Sequence, residues 1–297
     1  MKRLVSTAQP GPRIGVCPKR RLGVALTTFA LVLAASAAVA ETTLPGDANT
    51  AKQRLDASPR HGEWVDIEGP GVDAGAKDKV RAWISYPERS TKAPVVVVIQ
   101  EIFGLTDWIR AVADQLAAEG FIAIAPDLLS GHGPDGGGTP ADTQAAMALV
   151  RSLDEKEVMR RLSFVADYAT ALPAATKKFG SVGFCWGGRA SFAFAGNDAD
   201  HGGAVVYYGS SPDAVTIEKI KAPVLGLYGG SDMRVNATIP DAEAGMQKGG
   251  KSYTKHVYDG AGHGFLRQQD GMEGANLKAA QSAWQETIAF FKKNLEG

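Results

Sequence analysis

Apolar positions along the chain follow two alternating rhythms. Short apolar runs occur at residues 95–99, 121–125, 181–184, 204–208 and 224–228, with a further strand-like stretch at 253–258. They have the length and β-branched or aromatic content of strands. The unbroken run Val95-Val96-Val97-Val98-Ile99 suits a strand buried on both faces of a parallel sheet. Between the runs the spacing changes to three and four. Ile109, Val112 and Leu116 make one apolar helical face, opened by Asp107 and closed by Gly120. Val158, Leu162, Val165, Ala169 and Leu172 make another, predicting a helix over 154–172. Leu277, Ala280, Trp284, Ile288, Phe291 and Leu295 make a third on a last helix. Strands alternating with helices predict βαβ units, hence an α/β fold with a mostly parallel sheet and helices on both faces. Stretches 63–67 and 80–86 read as an antiparallel strand pair before that core, and 130–140 as a Gly/Pro-rich loop. With no internal linker or repeat, 62–297 is expected to be one domain.

The N-terminus follows neither rhythm. Residues 1–40 hold six basic residues and no acidic one, then an Ala/Leu-rich stretch that ends in Ala38-Val39-Ala40. This is the pattern of a signal peptide cleaved after Ala40, so the protein is expected to be exported, in the periplasm. An uncleaved anchor is the alternative. Arg20-Arg21 loosely suits the twin-arginine route, and the general secretory route is the one expected. Residues 41–61 are polar and aperiodic and read as a flexible lead.

Composition adds exclusions, and the leader changes them. At 44% hydrophobic and 22% charged, the 297-residue chain is not intrinsically disordered. Its 32 basic and 32 acidic residues cancel, unlike a nucleic-acid binder. Loss of residues 1–40 leaves 257 residues and, with six basic residues gone, a net charge of −6. Cys17 leaves too, so Cys185 remains as the single thiol, with no partner for an internal disulfide. After cleavage no integral membrane segment is expected.

That thiol sits in Gly183-Phe184-Cys185-Trp186-Gly187-Gly188, where a strand ends and a helix begins. The spacing G-x-C-x-G is a nucleophile elbow with cysteine in the serine position. A nucleophile projecting from so tight a turn tolerates no side chain two residues before or after it, and Gly183 and Gly187 have none. The helix start favours thiolate, and the Trp186 N–H is placed to hold an oxyanion. A buried structural cysteine beside incidental glycines is the alternative.

In this fold the acid and then the histidine follow the nucleophile. Gly229-Gly230-Ser231-Asp232 comes directly after one strand and Gly260-Ala261-Gly262-His263 after another. Both loops lie at carboxyl ends of strands, where parallel sheets build their sites. His263 would serve as base and Asp232 would hold its tautomer. His61 falls in the lead, His132 in the Gly-rich loop, His201 in a polar loop and His256 within a strand. No histidine pair stands at ligand spacing, so no metal is expected. Gln100-Glu101-Ile102-Phe103-Gly104 continues the buried run. A carboxylate there is costly without a partner or a task, and the same loop offers the second oxyanion N–H, from Ile102. An exposed loop glutamate is the alternative.

These elements, with Ala125-Pro126-Asp127-Leu128 and His263-Gly264-Phe265, resemble the dienelactone hydrolase (carboxymethylenebutenolidase-like) family of α/β-hydrolases, over nearly all of the chain after the leader. The resemblance implies a Cys185–His263–Asp232 triad. It implies that Glu101 contacts the resting thiol and helps ionise it, and that Arg267 grips a substrate carboxylate. It implies hydrolysis of a small lactone or ester through an acyl-thioester, without a cofactor. Two departures stand out: the family's lactone chemistry is intracellular whereas this chain carries an expected export signal, and an arginine is missing. The family has a second arginine shortly after Pro-Asp-Leu, whereas Leu129-Ser130-Gly131-His132-Gly133 has none. A general esterase, thioesterase or peptidase on the same fold, and a non-catalytic binding protein, are the competing readings. The sequence leaves the oligomeric state open.

Overall fold

The protein is described by a computed structural model covering residues 8–13, 15 and 43–296. Residues 8–13 and 15 carry no regular structure. The expected signal peptide otherwise lies outside the described residues. Among those described, no helix is long and apolar enough to cross a membrane.

Eight strands form one sheet in the order β1-β2-β4-β3-β5-β6-β7-β8. β1 (Gly62–Pro70) and β2 (Lys77–Ser85) pair antiparallel, and β2 pairs antiparallel with β4 (Ile122–Pro126). β3 (Ala93–Ile99), β5 (Ala175–Phe184), β6 (His201–Tyr207), β7 (Val224–Gly229) and β8 (Tyr253–Tyr258) complete a parallel run with β4. This is the expected α/β architecture, with the antiparallel pair at one edge.

The strand period of two divides β3 between two cores. Val96 and Val98 join a cluster with Trp108, Ile109, Val112 and Leu116 of α2 (Asp107–Ala118) and with Ala280, Trp284, Ile288 and Phe291 of α9 (Ala275–Leu295). Val95, Val97 and Ile99 face Val158, Leu162 and Val165 of α4 (Glu155–Ala171). A third cluster links β6 and β7 to α6 (Ala214–Lys219) and α8 (Ile239–Lys248). Asp154 caps α4 through the N–H groups of Lys156 and Glu157.

Four expectations need correction. Residues 41–61 do not form a flexible lead. From residue 43 they fold as a strap with helix α1 (Ala51–Asp56), whose Ala51 is buried, while Leu44 and Leu55 pack on the core. Three scattered apolar residues make no period, yet α2 gives them a surface. Thr106, not Asp107, is the cap of α2, and Asp107 pairs with Arg110 inside the first turn. Leu277 lies off the apolar face of α9 and is 41% exposed. His201 is not in a polar loop. It opens β6 and is buried, bonded to Ser181 Oγ at 3.0 Å and to Phe194 O. Burial lowers its pKa to about 4 and keeps it neutral.

Three further helices, α3 (Thr143–Ser152), α5 (Trp186–Phe194) and the short α7 (Met233–Asn236), connect these strands. The Gly/Pro-rich loop is pinned rather than loose. Buried Asp127 accepts the N–H and hydroxyl of Thr139 at 2.7 and 2.8 Å.

Candidate active site

Cys185 stands between β5 and α5 with φ 56° and ψ −112°, a backbone conformation that a side chain rarely adopts. Three glycines hold it there by close approach. A Cβ on Gly183 would lie 1.9 Å from the Gly187 carbonyl oxygen, and one on Gly187 would lie 2.2 Å from the Gln100 oxygen. On Gly188 it would meet the Tyr207 oxygen at 2.7 Å. The same contacts seat the start of α5 against the end of β3. Trp186, first residue of α5, has no intrahelical acceptor for its N–H. That N–H faces the Cys185 sulfur and draws its pKa down. Burial and the nearby Glu101 outweigh it and push the thiol up to about 11.

The acid and base loops also meet through glycine. A Cβ on Gly229 would lie 2.5 Å from the Gly262 oxygen, and the Ser231 N–H donates to Ala261 O at 2.9 Å. So joined, Asp232 Oδ2 accepts from His263 Nδ1 at 2.5 Å, while its Oδ1 caps α7 through the Val235 N–H. Asp232 is buried and His263 is about one-third exposed. With Nδ1 occupied, Nε2 is the ring nitrogen left for chemistry. Among the described residues, no hydrogen bond joins the Cys185 sulfur to His263 or Glu101. Such bonds are often long before substrate binds.

Glu101 is buried, not an exposed loop residue. Its loop closes with the Gly104 N–H donating to Glu101 O at 3.2 Å, which puts Ile102 at the first corner of a tight turn. The structure brings Glu101 and Arg267 together, a pairing the sequence did not suggest. Arg267 Nε faces Glu101 Oε2 at 3.2 Å, out of line for a hydrogen bond, and the guanidinium lies over the Phe103 ring at 4.8 Å. Burial raises the Glu101 pKa to about 7, and the Arg267 charge opposes that rise.

Sequence reasoning missed Tyr208. It follows β6 at φ 38°, fully buried, and its hydroxyl has no hydrogen-bond partner. Its ring lies 5.2 Å from that of His263. Burial raises its pKa well above the usual value, and the nearby Glu101 and Cys185 add to that rise. An aromatic at the carboxyl end of a strand, directly before Gly209, was the available signal. Arg234, two residues after Asp232, was also missed; its charge lowers the Cys185 pKa.

Comparison with known proteins identifies the family of the chain. The model of the dienelactone hydrolase family matches residues 80–295. A Yersinia pestis protein named "Putative carboxymethylenebutenolidase" is 31% identical over 229 residues, spanning 73% of this chain and 85% of the relative. A Saccharolobus solfataricus protein of the same name is 30% identical over 249 residues, spanning 72% and 94%. A crystal structure named "Putative Dienelactone Hydrolase", from Klebsiella pneumoniae, matches with a TM-score of 0.66 at 27% identity. It covers 78% of this chain and 98% of that one.

Proposed function

Because the chain belongs to the dienelactone hydrolase family, we propose that it hydrolyses a small lactone or carboxylic ester through an acyl-thioester on Cys185. The observation that carries this reading is the strained elbow. A positive φ at a cysteine costs about 1–3 kcal/mol and persists where the residue has a task.

At rest the thiol is protonated. An ionised Glu101 beside it raises its pKa, so two negative charges there are disfavoured. The pair ionises most readily when Glu101 takes the proton itself. Arg267 holds down the proton affinity of Glu101. A substrate carboxylate that engages Arg267 removes this restraint, and the Cys185 proton passes to Glu101. The thiolate then attacks the carbonyl carbon, and the N–H groups of Trp186 and Ile102 hold the oxyanion. Collapse expels the enol or alcohol oxygen, which takes the proton from Glu101. His263, aligned by Asp232, then takes a proton from water as water attacks the thioester, and returns it to the departing sulfur. The residues invoked need no cofactor.

The stretch 129–133 has no arginine, so Arg267 is the cation assigned to an acidic acyl group. This supports acceptance of neutral esters more readily than a two-arginine pocket would allow. The protein is proposed to act after export, with the leader cleaved at Ala40.

The test is a panel of carboxylated lactones, neutral aryl esters, thioesters and dipeptides, run on wild type and Cys185→Ala. Mass spectrometry under rapid quench should show the acyl adduct on Cys185. Full turnover by Cys185→Ala would refute the mechanism. Edman sequencing of the exported protein should begin at Glu41.

A further inference from the structure

The strap lies in the part of the described fold that the family match leaves out, together with β1 and the start of β2. That match begins at residue 80, and the strap lies before it. The strap does more than cover α2. The Ala48 N–H donates to the Arg267 carbonyl oxygen at 2.9 Å, and Gln269 Nε2 donates to Pro45 O at 3.0 Å. Two bonds therefore tie the loop carrying Arg267 to the strap.

The strap is itself built to present that N–H. Asp47 Oδ1 accepts from the Asn49 N–H at 3.1 Å, the Thr50 N–H at 2.9 Å and the Thr50 hydroxyl at 2.6 Å. This folds an Asx turn around Ala48. Arg54 closes the turn from behind by donating to Leu44 O at 2.7 Å. A side chain at Gly46 would run into Arg54 and Thr50. Farther on, Ser58 and Arg60 both bond the Asp114 carboxylate on α2. The strap is thus fixed at α2 by one end and to the Arg267 loop by the other.

On its opposite side the same loop is held by its own short turn, with the N–H groups of Arg267 and Gln268 both donating to Gly264 O at 2.9 Å. Arg267 and His263 share this turn. Only the Arg267 end of it is bonded to the strap.

We propose that residues 44–60 are a positioning element for Arg267, so that recognition of a substrate carboxylate depends on a segment outside the family's matched region. The proposal rests on the reading of Arg267 as the carboxylate-binding group. The strap sets the height of the Arg267 backbone. The guanidinium then reaches both Glu101 and the acyl pocket, while His263 keeps its place through Asp232. Proteolytic trimming within the strap would shift the preference of the enzyme from acidic toward neutral esters.

The test uses the mature protein and two variants outside the proposed catalytic machinery. Ala48→Pro removes the N–H whose donation the Arg267 carbonyl accepts, and Gln269→Leu, on the Arg267 loop, removes the second bond along with its donation to Leu266 O. Lys52→Ala, an exposed change on α1, is the control. KM and kcat are measured for a matched pair of esters, one with a carboxylate on the acyl group and one without. Each of these two variants should raise KM for the acidic ester by about fivefold, the effect of one neutral hydrogen bond. KM for the neutral ester should stay within about twofold, because lost folding would affect both esters alike. In the Arg267→Ala background these two variants should have no further effect on the acidic ester. Equal changes for both esters, or none for either, would overturn the strap proposal while leaving a selective effect of Arg267→Ala intact. If Arg267→Ala itself is indifferent to the carboxylate, the underlying reading fails first.

Discussion

His201 and His263 both sit in bonded networks on this sheet, in opposite surroundings. His201 is bonded to Ser181, which is bonded to Ser191, and all three are buried. His263 is partly exposed and bonded to a carboxylate. The first lies at the amino end of β6 and the second just beyond the carboxyl end of β8. A serine–histidine contact is therefore no sign of catalysis. In the buried network no carboxylate bonds the ring and the cation is desolvated, so the ring stays neutral and acts as a brace between β5, β6 and α5. At the other end, Asp232 can stabilise an imidazolium and the ring is open to solvent.

The comparison breaks most sharply at the rings themselves. His263→Ala should lower kcat/KM on the best ester by about 10³-fold or more while the urea midpoint barely moves. His201→Ala should do the reverse. It leaves buried hydroxyls unpaired, costs about 2–4 kcal/mol of stability in urea titration, and preserves turnover per folded molecule. Asp232→Asn should reduce kcat by about 10²–10⁴-fold through loss of tautomer control, with a smaller loss of stability from the altered cap on α7.

Acid sharpens the contrast. The folded-state pKa of His201 is lowered to about 4, below its ordinary 6.5. The unfolded chain therefore binds the extra proton first, and stability falls as pH drops from about 6.5 to 4, by about 3 kcal/mol. Glu101 has the opposite sign. Its folded pKa is raised to about 7, so its burial costs stability as pH rises from about 4.5 to 7. Urea midpoints measured from pH 4 to 8 should lose the first slope in His201→Phe and the second in Glu101→Gln. The smallest effect is expected at Tyr208. Tyr208→Phe deletes an unpartnered hydroxyl, so stability should hold or rise by about 1 kcal/mol. If that hydroxyl contacts the reacting ester, kcat should fall several-fold.

The sequence revealed the sheet because its central strands are buried on both faces and leave unbroken runs. Cys185, Asp232 and His263 were legible because glycine must flank them where strands end. What was not legible depends on contacts distant in the chain. Nothing near Glu101 announces Arg267, and nothing in Leu44, Ala51 and Leu55 announces the groove on α2 that they fill. His201 follows Asp198 and Asp200 and precedes two glycines, so local polarity concealed a strand start. α3 has only Ala146 and Val150 buried, too few to set a period.

The elevated Cys185 pKa has a consequence for chemical survival. With its pKa pushed up to about 11 by burial and the nearby Glu101, the resting thiol keeps its proton at pH 7. Peroxides and small disulfides react with thiolate, and the thiol form resists them. Under the proposed export, with Cys17 lost with the leader, the remaining thiol would be protected between turnovers by the same burial that keeps it unreactive. It becomes open to oxidative damage chiefly while substrate occupies the site.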